Sequence, residues 1–238
     1  MYNNNSFKID NNITLNEADH KYILKNHENI KFKSVTTLIS EYFEEFDKVK
    51  VATNLKKNIP KYRYLSIAEI INNWDNLAKH GTDVHKEVEN YINHKKLPNI
   101  NKSKIAVDWL EKYNLKSNFD LYSETIVYSK DLKLAGTIDL LSYDKSEDVY
   151  DIIDWKTSKR IDTVGYKNKT GIRPETIDLL DTNFNHYSLQ LSLYKYLLEK
   201  SYSIKIRDRI IVHLKENIAH SYIAENYDKI IKKILINQ

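Results

Sequence analysis

Between residues 119 and 157 the chain passes through three strand-like runs in succession, "FDLYSETIVYS", "LKLAGTIDLLSY" and "DVYDIIDWKT", parted only by short charged turns. Apolar and β-branched residues dominate each run, and helical periodicity brackets the set on both sides. The order helices, three strands, helix, strand, helix restricts the chain to an α/β fold, a mixed central β-sheet flanked by helices. The third run also carries Asp154 and Lys156 two residues apart. In a strand, residues i and i+2 share a face, so the carboxylate and the ammonium enter the same space. A plain ion pair would account for those two alone, so the neighbouring strands must decide whether more is present.

Residues 11–35 alternate apolar and polar and read as two or three short strands of an N-terminal hairpin. Ser34 is placed as the N-cap of "VTTLISEYF", and Asp47 as the cap of the basic helix "KVKVATNLKKN". From Ser66 to about Asn93 the helical period is strong, with Ile67, Ile70, Trp74 and Leu77 on one stripe. Gly81 is expected to interrupt that helix and a new one to carry Val84, Val88 and Tyr91; a further helix spans about 102–114. Residues 160–183, with Gly165, Gly171 and Pro174, read as a loop or partly ordered lid. The helix "HYSLQLSLYKYLLEKS", the strand "DRIIVHLK" and a terminal helix complete the chain. No repeat or linker divides the 238 residues, so one domain is expected. Its hairpin and first helices would occupy residues 1–118 and its core residues 119–238.

The sequence contains no cysteine, which excludes disulfides, a thiol nucleophile, thiolate zinc sites and cysteine-ligated iron–sulfur clusters. The polar start "MYNNNSFKID" has no apolar core of a secretion signal, and no apolar run reaches membrane-spanning length, so an intracellular setting is expected. A net charge of +4 permits a nucleic-acid partner without arguing for one.

Glu124, Asp139 and Asp154 place one acid among apolar neighbours on each of the three strands. Buried carboxylates are rare unless paired or bound to a metal, and three converging on one point repel one another. A hard divalent cation relieves that repulsion, and an oxygen-rich donor set without thiolate favours Mg²⁺ or Mn²⁺. Such a centre makes a bound water more acidic and stabilises charge on a phosphate in transfer. Lys156, on the same face as Asp154, could orient the attacking water or neutralise the phosphorane. Each acid alone reads more naturally as an edge residue or a salt bridge; the four together point to phosphodiester hydrolysis.

"AGTIDLL" followed by "IIDWKTSK" resembles two motifs of the PD-(D/E)xK nuclease superfamily, with Asp139 as the Asp and Asp154-x-Lys156 as the (D/E)xK. "QLSLYKYLL" resembles the QxxxY motif of the RecB-like branch on Gln190 and Tyr194, and "AKHGTDVHKEVENYI" resembles its GxxxH helix. Glu124 matches that branch's first acidic motif, and "KSVTTLISEYFEEFD" is similar to the opening of phage, giant-virus and mitochondrial-maintenance exonucleases. The resemblance spans Gly81 to Tyr194. It implies a restriction-endonuclease-like core and a metal-dependent deoxyribonuclease, with His85 as an added metal ligand. The Trp155 or Ile153 backbone carbonyl would be a further ligand, and Gln190 and Tyr194 would position DNA or the lysine. His85 also suits Mn²⁺ over Mg²⁺, since imidazole is the softer donor. Glu89, one turn on, is a weaker candidate.

"KVKVATNLKKNIPKYRYL" interleaves basic and aromatic residues. Lys56, Lys57, Lys61 and Arg63 could follow a phosphate backbone while Tyr62 and Tyr64 stack on bases. Thr157, Ser158 and Lys159 leave the catalytic strand and could touch phosphates; Arg160, Lys167, Lys169 and Arg173 could close over a strand. A solvated helix and an ordinary basic loop read nearly as well for these segments. The RecB-like pattern implies an exonuclease acting on DNA ends, with preference for single strands. A structure-specific endonuclease for flaps or branches, and a DNA-binding module without activity, remain as alternatives. The absence of a GxxxxGK loop leaves the chain without a helicase motor of its own.

Overall fold

The computed structural model describes residue 7, residues 9–115 and residues 119–238. An antiparallel hairpin, β1 (Ile13–Asn16) and β2 (Lys21–Leu24), stands before the main sheet. A two-residue strand, β3 (Lys33–Ser34), then leads into α1 (Val35–Ser40), α2 (Lys48–Asn58), α3 (Ile67–His94) and α4 (Asn101–Asn114). The meander β4 (Asp120–Ser129), β5 (Leu134–Asp144) and β6 (Val149–Lys156) follows. The chain ends with α5 (Asn183–Ser201), β7 (Ile206–Leu214), β8 (Ala219–Ile223) and α6 (Asp228–Ile236). The expected architecture is present: a mixed six-stranded sheet between helices, with an N-terminal hairpin.

Local chemistry sets the helix starts. The Ser34 hydroxyl accepts from the Thr37 N–H and Asp47 accepts from the Lys50 N–H. Ser66 and Glu69 satisfy each other's backbone donors in a capping box. The sheet pairs β4, β5 and β6 antiparallel, then β6 with β7 in parallel, and β8 antiparallel on β7. One cluster, with Leu141, Ile152 and Ile211 from the sheet, packs under α1, α5 and α6. A second, with Leu140, Ile153 and Val212, packs under α3 and α4.

One expectation needs correction, and two segments are defined more closely. Gly81 does not divide the helix, since α3 runs unbroken for 28 residues. A single glycine costs a helix about 1 kcal/mol, less than the packing gained along such a length. The segment 160–183 is irregular, yet it is docked rather than hinged. The Ile172 N–H and the Thr176 hydroxyl both donate to the Tyr42 carbonyl, and the Arg173 Nε donates to the Glu41 carbonyl. Residues 219–223, not foreseen as regular structure, form the edge strand β8.

Candidate metal centre

The strands β5 and β6 pair from Asp144–Val149 up to Leu140–Ile153, and there the ladder stops. The next residues in register are Asp139 and Asp154, so both carboxylates stand where the strands part. On the other side of β5, the register around Glu124 sets it opposite Asp139, although Glu124 itself leaves the ladder. Its φ of 45° is left-handed, an arrangement that costs a non-glycine residue about 1–2 kcal/mol. The distortion has a visible consequence. Tyr122 and Val127 pack into the same cluster although they stand an odd number of positions apart along the strand, which strict alternation would put on opposite faces. Ile138 and Leu141 do the same on β5, across the level of Asp139. The acids therefore sit on one transverse row where both strands switch face, within reach of helices from both sides.

The split frees the polar edge of Trp155, because the N–H and C=O of one strand residue point to the same side. Its N–H donates to Asp139 Oδ2 at 2.8 Å, and its carbonyl lies 3.1 Å from His85 Nε2 on α3. His85 Nδ1 lies 3.5 Å from Asp139 Oδ2. One donor atom each from His85, Glu124 and Asp139 falls within 4.8 Å of the others, the spacing of ligands around one ion. Asp154 is turned away from this triad. Its Oδ2 is 2.7 Å from the Lys156 ammonium, and Gln190 Nε2 reaches its Oδ1 at 3.4 Å. Gln190 also approaches the Tyr194 hydroxyl at 3.4 Å, and the Tyr187 ring lies 4.5 Å under the Lys156 ammonium.

Burial and mutual repulsion set the charges. Burial, then the nearby Asp139 carboxylate, pushes Glu124 up to about 8. Burial opposes ionisation of Asp139, but His85, Lys156 and the Trp155 N–H outweigh it and hold its carboxyl below the usual range. Burial works against a charged His85 too, yet Asp139 raises it to about 9. Asp154, buried and beside Asp139, rises to about 6 despite Lys156. Burial disfavours the Lys156 ammonium, and the two aspartates more than compensate, so it stays charged. Without a metal, protons on His85 and Glu124 do the neutralising. A divalent ion would replace them, and the donor set fits one: an imidazole nitrogen, carboxylate oxygens and the Trp155 carbonyl at a break in the sheet.

The residues assigned to DNA divide into two groups. Thr157, Ser158 and Lys159 leave β6 directly beside the centre. The Thr157 carbonyl accepts from Lys102 Nζ at 2.9 Å and the Ser158 carbonyl from His213 Nε2 at 2.7 Å, while the Ser158 hydroxyl donates to the Arg160 carbonyl. Lys56, Lys57, Lys61, Tyr62 and Arg63 lie on α2 and the turn after it, exposed except for the half-buried Tyr62. Lys56 is engaged with the Leu65 carbonyl. Of the loop cations, Lys169 pairs with Glu44 and Arg173 caps the Tyr42 ring, so both fasten the loop rather than face open space. Lys102, Tyr187 and His213 carry no local sequence signal for a site, since each is brought in by a different element. Glu89 pairs with Lys86 at 2.8 Å, one turn from His85.

The chain matches no protein-family model and no curated protein. Among the described residues no helix is long and apolar enough to cross a membrane. Of solved structures, the crystal structure of SSO0001 is similar over 87% of this chain and 76% of that one, with 13% identity and a TM-score of 0.38.

Proposed function

We propose that the chain is a metal-dependent deoxyribonuclease that hydrolyses phosphodiester bonds from DNA ends. The observation that carries the reading is the row Glu124, Asp139 and Asp154 at the strand break, with His85 closing one side and Lys156 paired to Asp154. His85, Glu124 and Asp139 would hold Mg²⁺ or Mn²⁺ with the Trp155 carbonyl beside them, while Asp154, expected as a further ligand, is instead held on Lys156. When bound, the ion supplies Lewis acidity toward a phosphate oxygen and a water. Lys156, fixed between Asp154 and the Tyr187 ring, supplies a charged donor to the phosphate or to the attacking water. Gln190, 3.4 Å from Asp154 Oδ1, would help orient that carboxylate. The acid-lined break gives no reason for base readout. Affinity for DNA comes instead from the cations on α2 and from the turn after β6.

Digestion of end-labelled linear and covalently circular DNA, single- and double-stranded, with Mg²⁺, Mn²⁺ or EDTA, tests this reading. Linear DNA alone should disappear, only with metal, and Lys156→Ala should lose the activity while keeping its fold by circular dichroism. Cutting of circles would assign an endonuclease. Binding without cutting under every metal would sink the enzymatic reading.

A further inference from the structure

The two residues that follow Lys156, Thr157 and Ser158, are met from three elements. From α3, Gly81 comes so near that a Cβ there would meet Thr157 Oγ1 at 2.9 Å. From the start of α4, Lys102 reaches the Thr157 carbonyl with its side chain only 13% exposed. From β7, His213, paired beside Lys156 in the parallel ladder and 1% exposed, reaches the Ser158 carbonyl. A carbonyl can only accept, so Nε2 of His213 carries the proton and Nδ1 is a lone pair. That Nδ1 is buried without a partner among the described residues. An orphaned buried polar atom is a cost that an apolar side chain of similar size would avoid. The donor at Nε2 is what the position gains in exchange. Two successive carbonyls are thus fixed toward the protein, while the Ser158 and Lys159 N–H groups have no hydrogen-bond partner among the described residues.

We propose that Lys102 and His213 are positioning residues for a phosphate-binding turn. By holding the Thr157 and Ser158 carbonyls they leave the Ser158 and Lys159 N–H groups and the Lys159 ammonium to a nucleic-acid phosphate beside Lys156. The inference rests on the nuclease reading, but its first test does not need cleavage. Backbone amide shifts are followed by NMR while a short phosphorothioate oligothymidylate is added in Mg²⁺. The Ser158 and Lys159 amides should move in the wild type and in His213→Gln, which retains a donor, and stay still in His213→Leu. In steady-state cleavage His213→Leu should raise KM by about tenfold with kcat little changed, the signature of a lost ground-state contact. His213→Gln should restore KM. Lys102→Met, at a helix start, repeats both measurements should His213→Leu fail to fold. Amides that ignore the oligonucleotide in the wild type, or that respond in His213→Leu and Lys102→Met as they do in the wild type, overturn the proposal. Responsive amides in a wild type that cuts nothing would instead overturn the nuclease reading and leave the turn standing.

Discussion

At the scale of single residues, the proposed metal centre would set protons and an ion in competition for one cluster of donors. His85 at about 9 and Glu124 at about 8 hold protons at neutral pH, and both must release them to bind a divalent ion. The sign follows. A raised pKa in the folded state stabilises it most below the group's ordinary value, and that contribution is lost as pH climbs through the raised one. The metal-free protein therefore loses stability between the ordinary carboxylate range and about 9, while affinity for metal grows over the upper part of the same window. The rise in melting temperature caused by Mn²⁺ should be small near about pH 6 and much larger near about pH 8.5, with protons released on binding. Calorimetry in two buffers of different ionisation enthalpy counts those protons. A shift that ignores pH, with no proton release, would mean that His85 and Glu124 are not ligands.

At the scale of elements, two of the four glycines let helices approach the strands that carry the site. A Cβ on Gly136 of β5 would come within 2.5 Å of the Tyr194 ring on α5. Gly136→Ala must push α5 off the sheet, and should cost about 1–3 kcal/mol in urea denaturation while moving Gln190 from Asp154. Gly81→Ala differs, because the atom in the way is the hydroxyl of Thr157, which can yield. Helix propensity should offset the contact, leaving the melting temperature equal or higher while cleavage falls. A parallel loss of both in Gly81→Ala would show that α3 and the turn are coupled only through stability. The elements themselves were largely legible: periodicity and the caps at Ser34 and Asp47 place the helices, and the three acid-bearing runs place the strands. The continuity of α3 was not legible, because a local glycine penalty is smaller than distant packing. Neither was β8, whose exposed "AHSYI" pattern becomes a strand only by pairing with β7. Of the site, the acids, Lys156 and His85 were readable as a set of types in order. Lys102 and His213 were not, since nothing local marks a residue whose partner is a carbonyl on another element. The left-handed Glu124 was not readable either, for a glutamate in a strand-like run gives no sign of it.

At the scale of the molecule, the sheet separates the acid-lined break from a structural clasp. Toward the other end of β6, Arg207 grips Asp151 with Nε at 3.0 Å and Nη2 at 2.7 Å, and its Nη1 reaches Asp144 at 3.0 Å. Tyr113 of α4 also donates to Asp151, so the clasp joins β5, β6, β7 and a covering helix. Asp151 lies about 10 Å along the strand from Asp154. Both carboxylates are buried, and removing their cation leaves them uncompensated, a change that costs about 3–5 kcal/mol when such a pair is broken. Arg207→Met should lose about that much at neutral pH. Hydrogen bonds from Ser146, with Arg207 behind them, hold Asp144 below its ordinary value, so its contribution is present above that value and fades as pH falls through the depressed one. In Arg207→Met, Asp144 keeps the Ser146 bonds but loses the guanidinium, so its carboxyl moves back toward its ordinary value and the variant recovers relative to wild type as acid is added. The two urea curves should be well separated at about pH 7 and approach each other near about pH 4. Activity per folded molecule should be unchanged, because the clasp touches none of the residues at the break. An equal gap at both pH values would mean that Arg207 contributes packing rather than charge. A loss of activity beyond the loss of folded protein would mean that the two ends of the sheet are mechanically one.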